Sequence, residues 1–423
     1  MIRKTLSFVV LSLVLCGTVL GGEAWDQFWE EMTPEVHGFY EVRAGYRLQN
    51  DPYQKDMSIM EARTQMDLQS MPEWGMITVK GDAYGDGVTE RGEFDLREAN
   101  FTVTPLEFLD VKVGRQILTW GKGDLLFIND MFPKDWQSFF IGRDTEYLKA
   151  PSDAVKFGVF SDSANLEVVY TPQFDPDRTI TGERLSYWNG NQQQVVGQNA
   201  VTSTQEPKGA FQEDEVAARL YQTFGEVEVA LYGYWGYWKS PGGSNPAQTR
   251  ALFPSLDVYG ASVEGAVGKG ILAAEIGYYD SKEDSDGTNG LVNNSEMRYL
   301  VGYNQEVARD FQAGVQYYIE HMLHHEEYLR SLGAGNKAKD ELRHLVTLRL
   351  TRLLMNQNLT CSLFTYYSPT DEDAYFRPNI GFKLNDQTAI EVGGNVFVGD
   401  QDDTFFGQFR DNTNAYASVR YSF

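Results

Sequence analysis

The sequence predicts an all-β fold: a transmembrane antiparallel up-and-down β-barrel of 18 strands, with a long third external loop folded toward the lumen. Three observations predict it. About eighteen segments of roughly ten residues alternate in polarity. The connections between them are alternately short and long, in one phase along the chain. The last segment, Asn414 to Phe423, is itself an alternating strand that ends on an aromatic residue.

The amino end belongs to a different kind of element. Arg3 and Lys4 precede an apolar run from Leu6 to Leu20, and small residues follow at Gly21, Gly22 and Ala24. That is the build of a secretory signal peptide over residues 1–24, cleaved after Gly21 or Ala24, which leaves 25–423 as a single barrel domain. The run is short and ends in Gly-Gly-Glu, which argues against a membrane anchor. Leu15 is too bulky before Cys16 for the usual lipidation motif. No other stretch is apolar for long enough to span a membrane as a helix. Cleavage removes Cys16 and leaves Cys361, so no disulfide forms within one mature chain. Cys361 alternates with Leu359 and Leu363 and reads as a small outward hydrophobe.

Composition agrees with strands in lipid. The mean hydropathy is -0.41, as expected where only every second residue meets lipid. Aromatic residues make up 13% of the chain, with 24 Tyr, 25 Phe and 8 Trp, enough for two interfacial girdles. The formal net charge is -24, which argues against nucleic acid as a partner. Much of the acid lies in loops such as Glu283-Asp284-Ser285-Asp286 and Asp400-Gln401-Asp402-Asp403. These read as solvated faces; the sharper alternative is divalent-cation bridging to lipopolysaccharide phosphates.

The segments are expected near 36–48, 57–70, 74–85, 94–104, 107–116, 154–161, 164–171, 214–224, 226–238, 256–267, 270–281, 295–307, 309–321, 341–354, 357–368, 374–385, 387–398 and 414–423. Every second connection is short, from Met71-Pro72-Glu73 through Pro105-Leu106, Gly225 and Gly268-Lys269 to Asn385-Asp386. The others are mostly longer, and 117–153, 172–213 and 322–340 are much longer. Short periplasmic turns and long external loops are the habit of outer-membrane barrels. The phase places both termini in the periplasm. A barrel of 16 strands is the alternative if two segments fuse or fail.

Face assignment follows from charge. In the second strand Met60, Ala62, Met66 and Leu68 oppose Glu61, Arg63, Gln65 and Asp67; in the seventeenth Ile390, Val392, Val396 and Val398 oppose Glu391 and Asn395. A charge facing lipid near the midplane costs about 2–4 kcal/mol, so the charged face points inward. The inward cations are Arg43, Arg47, Arg63, Lys80, Lys112, Arg219, Arg298, Arg343, Arg349, Arg377, Lys383 and Arg420. The inward anions include Glu41, Glu61, Asp67, Asp82, Glu98, Asp110, Glu215, Glu264, Glu275, Glu320 and Glu391. Most are expected to pair across neighbouring strands; the array as a whole needs an aqueous or plugged lumen.

Gly114-Arg115-Gln116 closes the fifth strand, and Trp120-Gly121-Lys122-Gly123-Asp124 opens a loop rich in aromatic and polar residues. A loop carrying Phe127, Phe132, Trp136, Phe139 and Phe140 has little use for them in water. It is expected to fold into the barrel and narrow it, a cap over the mouth being the alternative. Arg115, Lys122, Asp124, Asp130, Asp135, Arg143 and Asp144 are the candidate constriction residues.

The Gly-Arg-Gln strand end with Trp-Gly just after it resembles a group of Gram-negative outer-membrane channels, the poorly characterised porin-like proteins and the alginate-export type barrels. The likeness is clearest over residues 110–160. At the other end of the chain, Tyr421 and the final Phe423 resemble the assembly signal of Gram-negative outer-membrane barrels. Elsewhere the likeness is architectural. It implies a channel in the cell outer membrane. Alginate-export barrels line a highly basic pore, whereas the inward face here is mixed in sign, so the resemblance carries a channel and not alginate as its solute.

Other motifs read as structural. His321, His324 and His325 with Glu326 and Glu327 have metal-like chemistry, but they fall at a strand end and in a loop with no second ligand set. Asp280 to Gly290 departs from a calcium loop, with Lys282 at the first ligand position and Asn293 in place of the bidentate Glu. Tyr232, Tyr234, Trp235, Tyr237 and Trp238 read as an interface girdle, with a sugar-stacking slide as the alternative. No metal, cofactor or catalytic set is expected, and the chain is not expected to be an enzyme. The expected function is passive diffusion of small hydrophilic solutes. The expected partners are outer-membrane lipid and lipopolysaccharide, the barrel-assembly machinery and further copies in a homotrimer. The alternatives are a barrel sheath around a partner and an outer-membrane hydrolase.

Overall fold

Alternation with period two becomes eighteen barrel strands in the computed structural model, which describes residues 34–333 and 337–423. The expected signal peptide over 1–24, with Cys16, lies outside the described residues. The barrel strands are β1 (Glu35–Arg47), β2 (Met57–Ser70), β3 (Met76–Asp86), β4 (Arg91–Leu106), β5 (Leu109–Ile117), β6 (Pro151–Val159), β7 (Asn165–Thr171), β8 (Glu215–Phe224), β9 (Val227–Tyr237), β10 (Ser255–Val267), β11 (Gly270–Ser281), β12 (Glu296–Ala308), β13 (Phe311–Met322), β14 (Leu342–Leu354), β15 (Leu359–Ser368), β16 (Asp373–Lys383), β17 (Thr388–Val398) and β18 (Asn414–Ser422). Every expected strand is present, with ends shifted by a few residues.

Each strand pairs antiparallel with its chain neighbours in one 18-stranded sheet. Closure comes from β1 against β18, in register from Phe39↔Ser422 to Arg47↔Asn414. Phe423 N then donates to Gly38 O at 3.0 Å, and the Phe423 ring lies 5.2 Å from that of Tyr40. Closure leaves no edge with unpaired amides, the condition for strands in lipid. Among the described residues no helix is long and apolar enough to cross a membrane.

The pleat sorts side chains as charge required. On β1 the outward Tyr40, Val42 and Tyr46 are exposed, Val42 to 63%, while Glu41, Arg43 and Arg47 on the other face are buried. The apolar exterior recurs on β12 and β18, through Val301 and Val419. Such a continuous belt suits lipid and not water.

The interior is less uniformly polar than the sequence implied. Tyr232 and Tyr234 of β9, Tyr279 of β11, Tyr318 of β13, Tyr366 of β15, Tyr375 of β16 and Tyr416 of β18 point inward and are buried. They form one aromatic core with Leu126, Ile128, Phe132, Phe139 and Phe140 of the β5–β6 connection. The expected girdle at the end of β9 therefore splits by pleat. Trp235 faces out, 41% exposed, whereas Tyr232 and Tyr234 face in. The long β5–β6 connection is folded into the lumen, and its apolar side chains are what the inward tyrosines cover.

Candidate functional site

Residues 118–150 leave β5 at the long-connection end and turn inward. Trp120 lies edge-on to Phe132 at 5.0 Å between centroids, and its Nε1 donates to Glu167 of β7 at 3.0 Å. Lys122 Nζ pairs with Glu228 of β9 at 2.8 Å and Glu264 of β10 at 3.0 Å. Glu275 of β11 accepts from the backbone N–H of Gly123 at 2.6 Å, from that of Lys122, and from Asn129 Nδ2 at 2.8 Å. Asp124 accepts from Arg349 Nη2 of β14 at 2.7 Å, and Tyr366 Oη of β15 donates to Leu125 O at 2.7 Å. Three N–H donors on one buried carboxylate and three ion pairs hold this stretch to the far wall.

The chain then forms a short helix, α1 (Trp136–Ile141). Asp135 caps its start by accepting from Ser138 N at 2.7 Å, and Gly142 ends it in the left-handed region at φ 91°. Phe140 is wedged among Tyr375, Phe397 and Phe409 at centroid distances of 5.4, 5.6 and 5.1 Å. Arg43 Nη1 of β1 donates to Gly142 O at 2.7 Å. Asp144 caps a 3-10 turn over Thr145–Leu148 and faces Arg420 of β18 at 3.3 Å. Tyr147 Oη donates to Asp82 of β3 at 3.2 Å, and Arg97 of β4 donates to Glu146 O at 3.0 Å and Lys149 O at 3.1 Å. One connection thus crosses the lumen and is fastened to strands around its circumference.

The densest fastening is at Glu61. This carboxylate on β2 is 4% exposed. It pairs with Arg63 of its own strand at 2.9 Å, Arg143 of the 118–150 connection at 2.6 Å and Arg184 of the 172–214 connection at 3.0 Å. Arg184 is itself 1% exposed and reaches on to Asp86 of β3. Burial of charge is unfavourable unless the partners are close and hydrogen-bonded, as they are here. Burial works against the Arg143 charge, and the Glu61 carboxylate beside it overrides this and holds the guanidinium well above its ordinary pKa.

The remaining constriction candidates take varied places. Asp130 is paired with Lys134 at 2.9 Å and accepts from Thr119 Oγ1 at 2.8 Å. Asp135 also faces Arg178 at 3.3 Å. Arg115 stays in the β5 ladder and pairs with Asp153 of β6 at 2.9 Å. Lys122 and Asp124 line open space.

Two cavities flank the crossing. One, of about 570 Å³, lies toward the short-turn end and is lined by Lys122, Asp124, Arg219, Glu264 and Arg349. The other, of about 340 Å³, lies toward the long connections and is lined by Trp136, Tyr366, Phe406 and Arg343 among others. Leu125 and Phe127 border both. The segment Asp124–Phe127 is therefore a partition between an outer and an inner space.

Of the charges assigned to the lumen, Arg43, Arg47, Arg63, Arg377 and Glu61 are buried on the inner face. Lys80, Lys112, Arg219, Arg298, Arg349, Arg420, Asp67 and Glu391 are half-buried there, and Lys383 is exposed at the short-turn rim. Glu391 faces Arg43 at 3.1 Å, and Glu41 faces Arg420 at 3.0 Å. Sequence reasoning missed Arg97, Arg178 and Arg184. A register shift at Lys80/Gly81 in the β3–β4 pairing brings Arg97 inside next to Glu98. Arg178 grips Asp95 at 2.7 Å from an irregular connection that has no period to read. His325 begins a short helix, α2 (His325–Ser331), and His321 lies 3.6 Å from Glu341. Cys361 is half-buried and free.

No protein-family model matches the chain, and no curated protein matches its sequence. Solved structures match its fold. OccAB1 of Acinetobacter baumannii aligns over 92% of this chain and 96% of its own, at 9% identity and a TM-score of 0.55. OccD3 (OpdP) of Pseudomonas aeruginosa aligns over 92% of this chain and 91% of its own, at 9% identity and a TM-score of 0.52. A likeness at this identity is one of architecture: the chain is a porin-like β-barrel of the outer-membrane type.

Proposed function

We propose that the chain is an outer-membrane channel through which small hydrophilic solutes diffuse passively, with the 117–153 connection as its constriction. The observation that carries this reading is the partition at Asp124–Phe127, bordered on one side by an outer cavity and on the other by a charged vestibule. Opposed charges such as Asp124 and Arg349 at the narrowing orient polar solutes and set ion preference. A sheath around a partner is disfavoured, because the chain's own connections occupy the lumen. Residues 1–24 serve as the cleaved export signal in this reading, and Tyr421 and Phe423 as the mark read by the barrel-assembly machinery; assembly into a trimer belongs to the same proposal.

Planar-bilayer recording on the purified barrel tests it. Discrete ion currents, with a reversal potential in a salt gradient that shifts in Asp124→Asn, are expected. Absence of current in every lipid tried contradicts the reading.

A further inference from the structure

The outer cavity narrows the channel reading, on which this inference rests. Its volume of about 340 Å³ is that of a small-molecule pocket. Rings dominate its surface: Phe127 and Trp136 from the inner connection, Tyr366 from β15, and Phe406 and Phe409 from the β17–β18 connection. The Tyr366 ring is stacked on Tyr375 at 5.9 Å and 6°, and lies 5.4 Å from Phe406. These faces are held rigidly by neighbours, as a stacking site for a flat ring requires.

Polar groups gather at one side, from Arg298, Glu320 and Arg343. Arg298 Nε donates to Glu296 at 2.7 Å. Arg343 donates to Asp371 at 2.6 Å and to Glu320 at 3.2 Å, and Tyr318 Oη donates to Glu320 at 3.0 Å. Two guanidinium groups thus stand among three carboxylates, which leaves no positive field to draw an anion. Among the described residues the buried Nη2 of Arg343 has no hydrogen-bond partner, and the guanidinium lies 4.9 Å over the Phe405 ring. An aromatic cup whose polar side offers hydrogen-bonding groups without a positive field suits an uncharged ring that bears oxygen atoms.

We propose that this cavity is a recognition subsite for a small uncharged solute carrying an aromatic ring and hydroxyl or ether oxygens, held on the outer side before it passes the Asp124–Phe127 partition.

Three glycosides that cross lipid poorly test this in proteoliposome swelling: phenyl β-D-glucoside, methyl β-D-glucoside without the ring, and phenyl β-D-glucuronide with an added negative charge. The phenyl glucoside is expected to permeate roughly threefold or more faster than either of the others. Thr179→Trp, which fills the cavity from an external connection, is expected to bring it down to the methyl glucoside rate. Salt conductance is recorded on the same preparation. Conductance with no preference for the phenyl glucoside overturns the subsite and leaves the channel standing. If there is no conductance, the channel reading falls and tryptophan fluorescence decides the subsite. A saturable response to phenyl β-D-glucoside that is lost in Trp136→Phe supports it, and no response overturns it.

Discussion

Arg143 lies 2.6 Å from Glu61, joining the long inward connection to β2 at a carboxylate that Arg184 of another connection also reaches, at 3.0 Å. One wall residue therefore clamps two connections, one crossing the lumen and one descending from the mouth. The network is buried, so its geometry matters more than the number of its charges.

Glu61→Ala leaves Arg63, Arg143 and Arg184 without their shared partner. Breaking a buried pair in this way costs roughly 3 kcal/mol or more, a factor of over about 100 in the equilibrium between fastened and released connection. The expected result is rapid proteolytic nicking within 118–150 while the barrel stays folded, read by limited proteolysis and heat-modifiable gel mobility. Nicking at the wild-type rate contradicts the clamp.

Gly142 makes a separate demand. Its φ is 91°, and a Cβ added there would lie 2.5 Å from Tyr416 ring atoms. Gly142→Ala meets left-handed strain of about 1–2 kcal/mol as well as that clash. The end of α1 must then shift and the Arg43 bond to Gly142 O is lost. Faster hydrogen exchange over 136–148, with the strands unchanged, is the expected observation.

The Asp124–Arg349 pair is only part-buried, with side chains 42% and 33% exposed. Such a pair is worth about 1 kcal/mol or less, so Asp124→Asn is expected to leave the melting temperature nearly unchanged. It uncovers the Arg349 charge beside the partition, and the reversal potential in a salt gradient is expected to move toward anion preference.

Asp175, in the connection after β7, carries the clearest pH dependence. Burial, with Asp153 adding to it and Lys239 opposing, pushes its carboxyl up from 3.8 to about 6. The folded form binds the proton more tightly than the unfolded one. The stabilising contribution is thus full below 3.8, declines as pH rises, and is gone above about 6. Residues 172–178 are expected to exchange amide hydrogens faster at pH 7.5 than at pH 5 beyond the intrinsic rate change. Asp175→Asn is expected to abolish that difference.

The barrel was legible because lipid outside and charge inside impose strict alternation, as on β1 and β17, and because turn length repeats with the same phase. The inward fold of the β5–β6 connection was legible from its aromatics, which water would not tolerate. What escaped was set by irregular backbone. Arg184 and Arg178 sit in a connection with no period, and Arg97 is turned inward by one register shift. Tyr232 and Tyr234 were misread as part of an interface girdle for a related reason: the same residue type serves a lipid interface and a packed lumen, and only knowing what fills the lumen tells them apart.

The most direct test of the constriction is planar-bilayer recording of wild type and Arg143→Ala in a salt gradient. Loss of the Glu61 clasp loosens the crossing and removes a cation from the lumen. The account therefore predicts larger single-channel conductance and a reversal potential shifted toward cation preference. Unchanged conductance and unchanged reversal potential would contradict it.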